Sequence, residues 1–92
     1  MNARELVTLH TNAYRAGSLP IYVITKNPED YPGKYVVRVQ FPTKDPHYPI
    51  AVGPVIAVVD NLRAARRALD PLPVVRMQRH ADDDPVIVET WL

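Results

Sequence analysis

The chain contains no cysteine. That absence excludes disulfides, thiolate nucleophiles and cysteine-ligated zinc or iron–sulfur centres together, and it suits a reducing compartment. Net charge is also nearly absent, because 11 basic and 10 acidic residues leave +1. Attraction to nucleic acid or to anionic lipid is therefore not a property of the whole chain and would need a local patch. No apolar run approaches the ~20 residues needed to cross a bilayer. The opening residues include Glu5, Thr8, His10, Thr11 and Asn12, so they lack the apolar core of a signal peptide. A cytoplasmic location and no membrane partner are expected. No spacing of Ser, Thr and His points to a nucleophile with its base.

What the chain does have is apolar content for one core. Its 92 residues are 47% hydrophobic, which argues against disorder, and a chain of this length buries roughly 60–65% of its unfolded surface. Ten prolines punctuate the sequence. Lacking an amide donor, proline belongs at strand starts, edges and turns, so these mark element boundaries.

The clearest segment is Ile21 to Phe41. Two apolar runs, 21–25 and 35–41, flank the loop Asn27-Pro28-Glu29-Asp30-Tyr31-Pro32-Gly33. In the second run Val37, Arg38, Val39, Gln40 and Phe41 alternate as a half-buried strand does. In the loop, Pro28 suits the second position of a type I turn begun by Asn27, and Pro32-Gly33 suits the centre of a type II turn. A hairpin is expected. Upstream, Leu6, Leu9 and Ala13 have helical spacing and Gly17 is a natural stop. Residues 7–13 also alternate, so residues 1–19 read as an extension, helical or disordered, before a single domain at 20–92.

Residues 42–49 read as an irregular loop. The run Val55 to Val59 suits a short strand buried on both faces or at the sheet centre. Asp60 is the expected N-cap of a helix over 61–69, whose stripe is Leu62, Ala65, Ala68 and Leu69. Pro71 and Pro73 stop it. Alternating strands at 74–78 and 86–91 follow, separated by a polar turn, His80 to Asp84. The expected fold is α+β: a small, mainly antiparallel sheet of four to five strands with one helix on a face, plus a possible N-terminal helix.

Four groups of residues bear on function. Arg63, Arg66 and Arg67, with Arg76 and Arg79 nearby, could fork onto phosphates of a nucleic acid, although arginines on a short helix more often form a solvated face. His80 with Asp82, Asp83 and Asp84 could hold a divalent metal in an enzyme. Their spacing matches no ligand motif, and a self-bonded turn is the simpler reading. Tyr31, Tyr35, His47 and Tyr48 lie in or beside loops, where tyrosines make good protein anchors or close the ends of a sheet. Trp91 on the terminal strand either packs inside or marks a sheet-edge dimer.

Several of these segments resemble a group of short bacterial and prophage-like proteins of unassigned activity. The resemblance rests on Ile21-Tyr22-Val23-Ile24, Asp30-Tyr31-Pro32-Gly33-Lys34, Val36-Val37-Arg38 and Asp83-Asp84-Pro85-Val86-Ile87-Val88-Glu89-Thr90-Trp91-Leu92. Val58-Val59-Asp60 with Leu62 and Ala65 fits the middle of that pattern. It covers 20–92 and brings no catalytic residue with it. The sequence leans away from an enzyme and implies no cofactor. It fits a small interaction or accessory protein binding a protein partner or itself. The expected contacts are the 27–33 loop and the terminal strand, through Tyr31, Tyr35, Tyr48 and Trp91.

Overall fold

The computed structural model describes residues 1–78 and 85–92. Its first element, α1 (Ala3–Arg15), has capping at both ends. Asn2 accepts from the Glu5 amide while Glu5 reaches back to the Asn2 amide, a reciprocal box that satisfies two free donors. At the other end Gly17, at φ 77°, lets Gly17 N donate to Tyr14 O and Ser18 N to Ala13 O. The helical reading of the opening thus prevails over the alternating one, because the caps and the stripe through Leu6 agree.

Five strands follow: β1 (Ile21–Lys26), β2 (Tyr35–Pro42), β3 (Ile50–Val59), β4 (Arg76–Met77) and β5 (Ile87–Trp91), with α2 (Leu62–Ala68) between β3 and β4. They form one antiparallel sheet in the order β3-β2-β1-β5-β4, so the chain is a small α+β fold. The connection through α2 carries the chain from one edge of the sheet to the other. Residues Tyr22 and Ile24 of β1, Val37 and Val39 of β2 and Ile56 of β3 form the core with Leu6 of α1, Ala65 of α2, Leu69 and Leu72. Both helices therefore cover the same face.

The centre of the sheet is β1, in which Tyr22 to Thr25 are all buried. The run Val55 to Val59 belongs instead to the edge strand β3, where only Ile56 is buried. That strand is longer than its apolar run, starting at Ile50, and Pro54 sits inside it. Its missing amide is tolerated because one side of β3 has no neighbour. Two register shifts lie in the β2–β3 ladder, one around Ile56 and one around residues 53–54. At the second, a Cβ on Gly53 would lie 2.9 Å from the Val39 carbonyl oxygen and 2.7 Å from Val39 Cγ1, so the strands come this close only because residue 53 is glycine.

Local details differ from expectation in two further places. Asn61 caps α2, accepting from the Ala64 amide at 2.8 Å, and Asp60 instead pairs with Lys34. In the hairpin loop, Tyr31-Pro32-Gly33-Lys34 is a turn with Gly33 at φ 75°, as its residues require. The preceding turn begins at Pro28, not Asn27. Asn27 itself takes φ 53° and accepts from the Gly33 amide at 2.7 Å, closing the loop on itself.

Candidate functional site

The tyrosines and tryptophan singled out from sequence are separated by the sheet. Tyr35 lies on the helix-bearing side, packed against the core beside Lys26. Trp91 packs on that side too, and β5 is flanked by β1 and β4, so Trp91 marks no free sheet edge. Tyr48 stands 73% exposed in the 43–49 loop. Tyr31 lies on the opposite side of the sheet, its ring 6.0 Å from the Arg38 guanidinium, which also pairs with Asp30. Arg38 alternates with Val37 and Val39 and so points away from the helices.

The arginines of α2 also divide. Arg63 and Arg67 are exposed. Arg66 is engaged with Glu89 of β5, its Nε 2.9 Å from Oε1 and one terminal nitrogen 2.6 Å from Oε2. Arg76 of β4 adds a bond of 3.1 Å and the Trp91 indole one of 3.3 Å. Glu89 is only 7% exposed. The Arg66 hydrogen bond, with those from Arg76 and Trp91, holds its carboxyl below the usual range despite burial. A buried carboxylate is tolerable when its lone pairs are filled in this way. An open recess of about 250 Å³ lies beside it, lined by Arg76, Met77, Gln78, Val88 and Glu89. Chemically the cluster is a clasp: it ties α2, β4 and β5 together, and both carboxylate oxygens accept hydrogen bonds from it.

A second polar contact fastens α1. His10 Nδ1 lies 2.8 Å from the Tyr22 hydroxyl, buried, with the Tyr14 ring edge-on at 4.9 Å. Burial lowers the His10 pKa and pushes the Tyr22 phenol up to about 12. Both groups stay neutral near pH 7, the phenol donating to Nδ1 when the imidazole proton is on Nε2.

The remaining feature is the helix-free face. In β3, Val52 lies opposite Gln40, Val55 opposite Arg38, Val58 opposite Val36 and Ile50 opposite Pro42. Directly opposed residues share a face, so these four aliphatic side chains form a row on the side away from the helices, at its β3 edge, while Val23, Thr25 and Val36 further in on that side are buried. Val52 is 73% exposed, Ile50 43% and Val58 39%. The Tyr31–Arg38–Asp30 group borders this row. Among the described residues assigned to this face by register, Arg38 is the one charged side chain, and Asp30 neutralises it.

The turn at His80 to Asp84 lies outside the described residues. Among the described residues no group of His, Asp or Glu is placed to hold a metal. No protein-family model, curated protein or solved structure matches the chain.

Sequence reasoning missed the β3 row and the Glu89 clasp. Pro54 was the available signal for the first, since a proline inside an apolar run argues for an edge strand. Glu89 between Val88 and Thr90 was a signal for the second, as an acidic residue alternating into a core side needs a cationic partner.

Proposed function

We propose that this chain is a small interaction protein that docks a protein surface, another protein or its own copy, onto the helix-free face of its sheet. The observation that carries the reading is the row Ile50, Val52, Val55 and Val58 on edge strand β3, of which Ile50, Val52 and Val58 are exposed on the side away from the helices. Contiguous exposed aliphatic residues of this kind mark interaction sites. Tyr31 beside Arg38 adds an aromatic and an arginine at the border, the residue types that most often anchor interfaces. The polar clusters support the same reading indirectly, because the Glu89 clasp and the His10–Tyr22 contact use their hydrogen-bonding groups internally. The arginine alternative is weakened by Arg66, whose fork is occupied by Glu89.

The test is a photo-crosslinking side chain placed at Val52 in cells. Protein adducts are expected from position 52 and not from Arg63, on the other side of the sheet. Adducts to nucleic acid, or no adducts at all, would remove the reading.

A further inference from the structure

We infer that α1 is a pH-gated cover: protonation of His10 lets the helix lift off the sheet as a unit while residues 20–92 stay folded. This device stands apart from whatever docks on β3.

The first argument is how little holds α1 down. Of its 13 residues only Leu6 and His10 are buried, so one of its two anchors is a titratable group. Val7 and Tyr14 are exposed. The Met1 amine adds a bond of 3.1 Å to the Ile56 carbonyl, and as a donor it is not weakened by acid. Both caps are internal to the helix and its flanks, Asn2 with Glu5 at one end, Gly17 and Ser18 with Tyr14 and Ala13 at the other. Gly17, at φ 77° with open space around it, lies between α1 and β1 where a hinge is needed.

The second argument is what protonation does at this contact. His10 Nδ1 faces the Tyr22 hydroxyl of β1, and the Tyr14 ring of its own helix stands edge-on to the imidazole. The charged residues of α1, Arg4, Glu5 and Arg15, are exposed. The core under the helices takes Val39 from β2, Ile56 from β3 and Ala65 from α2, none of them titratable. On β5, Glu89 is held by Arg66 of α2, by Arg76 of β4 and by Trp91. Among the described residues no carboxylate bonds to the imidazole. A neutral imidazole accepts the phenol's proton at Nδ1. In the cation both ring nitrogens donate, so the phenol loses its acceptor and a charge stands in a buried contact. Tyr22 does not offset that charge by ionising, since burial pushes its pKa up to about 12. The charge is relieved when the imidazole reaches water, and the imidazole is carried by α1. Burial lowers the His10 pKa, which has the same sign.

The third argument is that the remainder keeps its own support. All five strands pair among themselves, and Ala65, Leu69 and Leu72 stay on the core when α1 leaves. A free helix of this length is marginal in water, so lifting is read as loss of its amide protection.

Hydrogen exchange of the full chain, followed residue by residue across pH, tests this. With an open-state pKa of about 6.5, uptake of one proton lowers α1 protection by up to about tenfold between about pH 7.5 and about pH 5.5, after correction for intrinsic exchange. Protection of β1 and β2 is expected to hold over the same range. In His10→Asn the α1 fall should vanish. If that variant leaves α1 unprotected at every pH, Leu6→Ala decides, because it loosens the same helix and keeps the titrating group. Lower protection throughout with the same fall then supports the cover, and a flat profile overturns it. Protection of α1 that ignores pH in the wild-type chain overturns the inference, as does a fall that persists in His10→Asn. A matching fall in β1 overturns it too, since that is unfolding of the whole domain.

Discussion

Protonation of His10 should oppose folding. Its pKa is lowered in the folded chain by burial, so between that lowered value and about 6.5 the unfolded chain binds more protons than the folded one. Stability is then constant above this window and falls as pH drops through it. A separate loss begins below the ordinary carboxylate range. Glu89 has a lowered folded pKa, mainly through Arg66, so its contribution is present above the unfolded value and is lost as pH falls through the folded one. Thermal melts across pH should show both phases. In His10→Asn, whose side-chain oxygen can accept near the position of Nδ1, the first phase should disappear and the second remain. Tyr22→Phe leaves His10 Nδ1 buried without its donor and should cost about 1–3 kcal/mol in urea denaturation. Glu89→Ala removes the centre of the clasp. The arginine heads can turn to water, so the cost should fall below that of a fully buried pair, at roughly 2–3 kcal/mol.

At the scale of elements, glycines 33 and 53 give a comparison with a clear order. Gly33 has φ 75° but open space around a Cβ, so Gly33→Ala meets only backbone strain, about 1 kcal/mol. Gly53→Ala must displace Val39 or part β3 from β2. It should cost more, about 2–3 kcal/mol, and denaturant midpoints of the two variants decide the order. These elements also show what was legible in the sequence. The hairpin of β1 and β2, the helix over 62–68 and the stop at Pro71 follow from alternation, stripe and proline, all local signals. The position of β3 does not. An apolar run looks the same at a sheet centre as at an edge whose outer face is uncovered, and only strand order, a non-local property, separates the two. Asp60 was the expected cap, but asparagine caps as well as aspartate does, and Asn61 takes the role. Lys34, 26 residues away in sequence, draws Asp60 off. Tyr31 had no architectural reason in the sequence, and its neighbour Arg38 becomes visible only once the loop is folded onto the sheet.

For the molecule as a whole, a protein partner that binds only the folded chain links its stability to the partner's concentration. A protein partner seated on the β3 row is expected to raise the melting temperature of the chain, and Val52→Asp is expected to remove that rise. The His10 and Glu89 effects should be additive with Val52→Asp, since they lie on the other side of the sheet and share no partner with it. Among the described residues no helix is long and apolar enough to cross a membrane.

The strand order also bears on how the chain is made. Strand β1 pairs on one side with its immediate follower β2, but its other neighbour, β5, lies about 60 residues downstream. Until β5 is synthesised, the outer hydrogen-bonding edge of Ile21 to Thr25, the most buried strand of the finished fold, has no partner. A nascent chain stalled before Ile87 would thus present an aliphatic strand with a free ladder. Such a chain is expected to be a chaperone client or an aggregation seed, whereas the completed protein hides that edge at its centre.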